Sequence, residues 1–512
     1  MSTHPAPSIV LINPPVAKIC EPPAGIARLA GSLRSHGIRC QAVDLNLETM
    51  LDQLDSGLTA HDTWTSRALK HRATHLAQLR SPALYRSLAR YQRAVSDLSR
   101  ILVGAVRITG GELSFGDFND PRFSPLSSAD LLECSRDYKR NHFYPFFRPR
   151  LEALLERERP DYIGISFSYL SQALAGFAIL GFVRHHCPEV RTIAGGGLIT
   201  SWLHSPSWNE PFAELIDHCI GGAGETELLR LLGGRAQAPL GSFDYDDFEL
   251  KRYLAPGTIL PYAASSGCYW KKCRFCPDYA EDLPYLKKPE IQVIEELQAL
   301  TARYDPVLVH LLDNAVSPSL MRALIDQPLP AAWYGFARFE RQLEDPDFCL
   351  ALKRSGCTML KLGLESGSQQ VLDKLNKGIE LGRVARILAN LSSASIATYV
   401  YLLFGTPEET ETEALMTLDF VKKHHREISF FNLAIFNMPL CSAEAVGARD
   451  RFDGGDLSLY CDFNHPQGWD RKAVRTFLQK RFRKEPLIRQ IEMNNPGVFG
   501  SSHAPFFTPG FG

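Results

Sequence analysis

The 512 residues carry a formal net charge of -1, with 45% hydrophobic and 22% charged residues, so the chain folds into more than one hydrophobic core and has no overall field suited to nucleic acid or a membrane surface. The opening MSTHPAPSIVLINPP lacks a basic n-region and a long apolar run, and the apolar stretch Leu174 to Val183 is about half a membrane span, so a cytoplasmic protein is expected. In that compartment the twelve cysteines read as reduced thiols, metal ligands or catalytic groups.

In chain order, SIVLINPP (Ser8 to Pro15) predicts a buried strand ending in a rigid loop. A helix is expected from Pro22 to about His36, and a second strand from IRCQAVDL. Trp64 to Arg107 is helical in composition and carries nine Lys or Arg against one acid, Asp97, which reads as a solvated basic face, with a face for nucleic acid or another anionic partner as the alternative. Ile108 to Arg148 is rich in Gly, Pro and aromatics and predicts loops with one short helix near Ser128 to Asp137. The α/β rhythm returns with a strand at Asp161 to Ser168, a helix at about Ser171 to His186, a strand at Arg191 to Gly197, and DHCIGGAGETELLRLLGG. The strand ends carry small or polar residues: Asn13 and Pro15, Asp44, Ser166 and Ser168, Gly195, Gly196 and Gly197, and Gly222. In an open parallel sheet these ends share one edge, where a bulky ligand can approach the backbone. Gly224 and Glu225 then open a helix with free amide groups.

A second series follows. Strands are expected at Leu260 to Ser266, Val307 to Leu312, Ala332 to Phe336, Met359 to Leu364, Ile396 to Phe404 and Ile428 to Ile435, with helices between them. Six strands with five helical crossovers describe most of a parallel barrel, whose functional residues sit at the strands' carboxyl ends. The tail predicts one helix, Asp470 to Met493.

After the first strand of this series stands SSGCYWKKCRFCP, with Cys268, Cys273 and Cys276 within nine residues. A structural zinc site calls for four ligands, and no second Cys or His pair follows at suitable spacing. Three thiolates can instead hold a four-iron cluster with one iron open to a ligand. The residues alone leave zinc and chance proximity open beside that reading.

Cys268, Cys273, Phe275 and Cys276, followed by a partial barrel, resemble the radical S-adenosylmethionine (SAM) superfamily. VLINPP, PPAGIARLAGSLRSHGIRCQAVDLN, DYIGISFS, AGGG and GGAGETELLRLL resemble the cobalamin-binding domain that precedes many of those enzymes. The resemblance implies an α/β chain in four parts. A doubly wound Rossmann-like cobalamin-binding domain spans 1–235 with a basic helical insertion at about 50–150, followed by a linker at 236–257. A partial (β/α)6 radical SAM TIM barrel spans 258–438, and a small, mostly helical cap or tail spans 439–512. Two departures stand out: four residues separate the first two cysteines where three are commonest, and the D-x-H-x-x-G motif of many cobalamin proteins is absent.

The cofactors implied are a 4Fe-4S cluster on Cys268, Cys273 and Cys276, SAM and cobalamin. The SAM contacts implied are Phe275, Asp313 with Asn314, Arg338, Glu365 and Gly405. The cobalamin contacts implied are Asn13, Pro15, Ser166, Ser168, Gly195, Gly196, Gly197, Gly222, Gly224 and Glu225. The expected activity is methyl transfer to an unactivated carbon through a 5′-deoxyadenosyl radical and methylcobalamin. Cyclisation or oxidative rearrangement without methyl transfer is the alternative, and a non-catalytic cobalamin or cluster sensor a third. A small-molecule or peptide substrate and a low-potential electron donor such as flavodoxin or ferredoxin are the expected partners, without membrane or nucleic acid. Trp333, Tyr334, Tyr399 and Tyr401 either line a pocket or pack the barrel.

Overall fold

The computed structural model describes residues 7–55, 57–60, 62–107, 110–234, 240–442, 445, 454–497 and 503–508. Outside them lie 1–6, residues 235–239 around the start of the expected linker, Ile108 of the expected loop region, and 443–444, 446–453, 498–502 and 509–512 of the expected tail. The described residues form two compact units, 7–258 with 454–459 and 497, and 259–445 with 460–496 and 503–508.

In the first unit, β1 (Ile9–Asn13) is buried at every position, and α1 (Ala24–Ser35) leads to β2 (Cys40–Asp44). Then come α2 (Leu45–Asp55), α3 (Thr63–Leu79), α4 (Leu88–Val106), the short hairpin β3 (Glu112–Leu113) with β4 (Phe118–Asn119), α5 (Ser128–Arg136) and α6 (Tyr144–Glu158). Next are β5 (Tyr162–Ser166), α7 (Ala173–His186), β6 (Arg191–Gly195), α8 (Gly197–Leu203), β7 (His218–Cys219) and α9 (Glu225–Leu231). The sheet order β2-β1-β5-β6-β7 is parallel throughout. The chain therefore reverses direction across the sheet between β1 and β5, and open parallel sheets take ligands outside the carboxyl ends flanking such a reversal. Continuous apolar strands such as IVLIN and YIGIS suit a sheet covered on both faces.

α6 is a correction to the expected irregular stretch up to Arg148. The helix starts at Tyr144, inside that stretch, and holds Pro149, with Phe147, Leu151, Leu154 and Leu155 buried at helical spacing. One missing amide bond near the helix start is outweighed by that apolar burial.

The second unit opens with β8 (Ile259–Tyr262) and the pair β9 (Ser265–Ser266) with β10 (Leu286–Lys287), which bracket α10 (Pro277–Ala280). Then follow α11 (Glu290–Tyr304), β11 (Leu308–Leu311), α12 (Pro318–Asp326), β12 (Ala332–Ala337), α13 (Pro346–Arg354) and β13 (Cys357–Glu365). α14 (Gln369–Lys374), α15 (Leu381–Ser393), β14 (Ala397–Phe404), α16 (Glu411–Lys423) and β15 (Phe430–Ile435) complete the series. β8, β11, β12, β13, β14 and β15 pair in that sequential order, all parallel. Every neighbouring pair is joined by at least one helix, so all six carboxyl ends fall on one edge.

β16 (Met438–Pro439) pairs with β17 (Tyr460–Cys461), and α17 (Arg471–Lys480) and α18 (Pro486–Met493) follow. The expected single helix at Asp470 to Met493 is thus two. Phe482 turns inward with no solvent exposure, and Pro486, which has no amide hydrogen to donate, takes the first position of a new helix.

Candidate functional site

Cys268, Cys273 and Cys276 lie between β9 and α10, directly after the first strand of the six-stranded sheet. Cys273 is buried and the other two are partly exposed. Burial raises the thiol pKa of Cys273, against the opposing pull of Lys377 and Arg338. Cys276 is pushed up to about 12 by burial, with Asp278 adding to it. Among the described residues no three His, Cys, Asp or Glu side chains are gathered to hold a metal ion, so the loop carries the three sulfurs without converging them. The donor set itself suits a soft metal: three thiols on one short loop, with two cations beside the buried one.

Those cations tie the loop to neighbouring strand ends. Arg338, just past β12 and 6% exposed, reaches the Cys273 sulfur with Nη1 at 3.8 Å and donates Nη2 to the Lys377 carbonyl at 2.5 Å. Lys377 in turn donates its ammonium to Glu365 at 2.7 Å and lies 5.4 Å from the Phe275 ring centroid. Glu365 ends β13 in the left-handed region, with φ 66, where the pairing with β14 shifts register. A non-glycine residue held there is strained backbone of the kind that gathers at functional sites. The structure therefore links Cys273, Phe275, Arg338 and Glu365 through Lys377, which no sequence signal distinguished from a surface lysine.

Asp313, after β11, is also buried, but its carboxylate accepts from the Ala264 amide at 3.1 Å and from the Ser265 hydroxyl. It anchors the strand leading into the cysteine loop, and burial raises its pKa against those hydrogen bonds. Asn314 donates to Asp278. Phe275 also packs against a small core of Phe436, Met438, Ala445 and Cys461. Gly405, at the end of β14 with φ 81, donates its amide at 2.6 Å to Glu409, which also accepts from the Trp469 indole at 2.9 Å. Burial pushes the Glu409 carboxyl up to about 7.

The aromatic strand residues mostly pack. Trp333 is fully buried and donates to the Ser355 carbonyl, Tyr334 stacks on His310 at 4.3 Å, and Tyr399 stacks on His503 at 5.0 Å. Their surroundings include a polar pair that periodicity does not flag: buried Lys361 lies 3.1 Å from His310 and against the Tyr334 and Phe336 rings.

In the first unit the carboxyl ends are organised around Gln172, which is fully buried. It donates to the Asn13 side chain at 2.9 Å and the Pro14 carbonyl at 2.8 Å, and accepts from the Ser168 and Tyr169 amides. Asn13 donates to Asp44 at 2.8 Å, and Asp44 accepts from Tyr253 at 2.6 Å. Asn13 and Pro15 are thus buried supports of the edge, whereas Ser168 is exposed and Ser166 partly so. Gly195 ends β6, Gly196 has φ 99, and Gly197 opens α8. A Cβ at Gly196 would collide with the Phe167 backbone, which explains the glycine. The Gly222 amide, at φ 67, donates to Thr200 at 2.9 Å. Gly224 caps α9, and Glu225, 1% exposed, pairs with Arg28 at 2.5 Å. A separate cavity of about 900 Å³, lined by Asp161, His186, Cys187 and Arg191 among others, sits by the amino ends of β5 and β6, away from these residues.

No family model matches the chain. It is 27% identical over 203 residues to a bacteriochlorophyllide d C-12(1)-methyltransferase of Chlorobaculum tepidum, a match covering 38% of this chain and 43% of that protein. It is 25% identical over 198 residues to an uncharacterized methyltransferase of Pyrococcus horikoshii, covering 37% and 42%. The matched stretch thus spans less than half of either relative.

Among solved structures, the cobalamin-dependent SAM radical enzyme OxsB with aqua-cobalamin and SAM bound aligns with a TM-score of 0.52 at 14% identity, covering 82% of this chain and 52% of that one. The radical SAM methyltransferase TsrM of Kitasatospora setae, with cobalamin and a 4Fe-4S cluster bound, aligns with a TM-score of 0.52 at 13% identity, covering 91% and 85%. Among the described residues no helix is long and apolar enough to cross a membrane.

Proposed function

We propose, for a chain that has the fold of the cobalamin-dependent radical SAM enzymes, that it is a methyltransferase of that kind acting on an unactivated carbon. The observation that carries this reading is the cysteine loop after β8, with Glu365 and Lys377 joined to it through Arg338 at adjacent strand ends. Methyl transfer, rather than rearrangement, is favoured by the two relatives named as methyltransferases.

Held at these residues, a cluster would supply a single electron, SAM would supply radical chemistry and cobalamin would supply a methyl carrier. In this reading Cys268, Cys273 and Cys276 are the cluster's protein ligands. Glu365, oriented by Lys377, accepts hydrogen bonds from a ribose, and Phe275 and the Gly405 turn border an adenine. The apolar packing of Phe275 against Phe436 and Met438 keeps water from that side. In the first unit, Gly195, Gly197, Gly222 and Gly224 offer backbone without side chains along the edge proposed for a corrin ring, Gly196 lets the Phe167 backbone pack close, and Gln172, Asn13 and Asp44 hold the β1 and β5 loops rigid. A small molecule or peptide is the substrate class, with flavodoxin or ferredoxin as the class of electron donor.

Anaerobic reconstitution with iron, sulfide, cobalamin and SAM, followed by mass spectrometry under reduction, tests the proposal. Both 5′-deoxyadenosine and S-adenosylhomocysteine are expected. Absence of 5′-deoxyadenosine from a protein with an intact cluster overturns the radical reading. Its presence without S-adenosylhomocysteine overturns methyl transfer.

A further inference from the structure

The extra residue in the first cysteine gap is built into the structure. Each of its four residues is engaged: Tyr269 donates to Glu340 at 2.9 Å, Trp270 donates its indole N–H to the Asn376 carbonyl at 3.2 Å, Lys271 pairs with Asp282 at 2.5 Å, and Lys272 lies 4.9 Å from the Trp270 ring. Lys271 also takes the left-handed turn, φ 43, that a longer loop needs to return to Cys273.

The centre of the arrangement is Trp270 against Arg338, whose guanidinium carbon lies 4.3 Å from the ring centroid. Arg338 is buried, and its nitrogens face Cys273, the Lys377 carbonyl and, at 3.3 Å, Glu340. A guanidinium is a rigid planar fork, so a ring lying on it decides which nitrogen points at the sulfur. Against the six-membered part of the Trp270 ring stands Gly378, with φ 69, where a Cβ would fall inside contact distance of the ring. A tryptophan in the gap and a glycine over a hundred residues later form one fitted pair.

We propose that Trp270 is a positioning residue that clamps Arg338 against Cys273 and thereby raises the electron affinity of the cluster held on this loop. The proposal rests on the cluster reading above. A buried cation and an N–H directed at a ligating sulfur both favour the more negative, reduced state, since net charge and hydrogen bonds to sulfur set iron-sulfur potentials. One electron from the external reductant enters, and no bond to the protein forms or breaks. Because its nitrogens are already engaged, Arg338 serves the sulfur loop first, whatever it also offers SAM.

Anaerobic potentiometric titration of the reconstituted full chain, read by electron paramagnetic resonance of the reduced cluster, tests this. Trp270→Ala and Arg338→Met are each expected to lower the reduced-to-oxidised ratio at a fixed potential by about tenfold, which is about 59 mV for one electron. The double variant should fall no further than Arg338→Met alone. Gly378→Ala should reproduce Trp270→Ala, while Trp270→Phe, which keeps the ring face, retains most of the wild-type potential. Should Trp270→Ala fail to fold, Arg338→Lys reads the same effect, because it keeps the charge and loses the fork. Unchanged potential in Trp270→Ala or Arg338→Lys at full iron and sulfide content overturns the proposal, as do effects that add in the double variant. A wild-type chain that takes up no cluster overturns the proposed function and this inference together; a loaded wild type with unmoved variants overturns this inference alone.

Discussion

Lys377 and Glu365 form a buried ion pair at 2.7 Å, with side-chain exposures of 8% and 11%, at the strained end of β13. The pair fixes where the carboxylate points, and Lys377 touches the cysteine loop through Phe275 and the Arg338 bond to its own carbonyl. Removing one partner leaves a buried charge alone. Lys377→Met is therefore expected to destabilise the second unit by about 3 kcal/mol and to weaken SAM binding at least tenfold. Chemical denaturation and isothermal calorimetry of the reconstituted protein check the two effects separately.

The three loop cysteines should behave as one set. Cys268→Ser, Cys273→Ser or Cys276→Ser should each cut bound iron well below the about four atoms of a full cluster, with far-ultraviolet circular dichroism unchanged. Cys349→Ser, at a buried thiol that donates to the Leu343 carbonyl, should keep its iron. Iron and sulfide assays distinguish these outcomes.

Glu409 makes stability depend on pH. Its folded pKa is about 7 against an ordinary 4.5, because burial outweighs the hydrogen bonds from Gly405 and Trp469. Between those values the folded state holds a proton that the unfolded state has released, so stability falls as pH rises through this window and the full loss is present above it. The loss is on the order of 3 kcal/mol. Glu409→Gln keeps an acceptor for both donors without the charge. Its melting temperature should therefore decline less than the wild type's between pH 5 and pH 8, as measured by thermal denaturation.

Gln172 holds the carboxyl-end loops of β1 and β5 together through four hydrogen bonds. Gln172→Met preserves volume but strands the Asn13 oxygen, the Pro14 carbonyl and two amides. We expect a stability loss of about 3 kcal/mol and, in absorbance titrations, cobalamin binding weakened by more than Ser168→Ala weakens it.

Much of this architecture was legible in the chain. Continuous apolar runs in both units, followed in the first by small or polar residues, mark the parallel strands, because strand burial and turn chemistry are written in a few adjacent residues. The local signal loses to a stronger nonlocal one where the Pro- and aromatic-rich text up to Arg148 reads as loop yet α6 starts at Tyr144, and where Asp470 to Met493 reads as one helix yet buried Phe482 and Pro486 divide it.

The main parallel strands of both units and the clustering of Cys268, Cys273 and Cys276 on one short loop are set by the sequence alone, since these depend on spacing along the chain. Only the tertiary structure decided which groups surround them. Arg338 and Glu365 are separated from Cys273 by many tens of residues and come near it because parallel strands bring all their carboxyl ends to one edge, with Lys377, beyond α14, joining them. Asp313 anchors a strand, Gln172 is the hub of the first unit, and Trp270 clamps Arg338. A side chain's partners are set by packing across the fold, and packing has no period in the sequence.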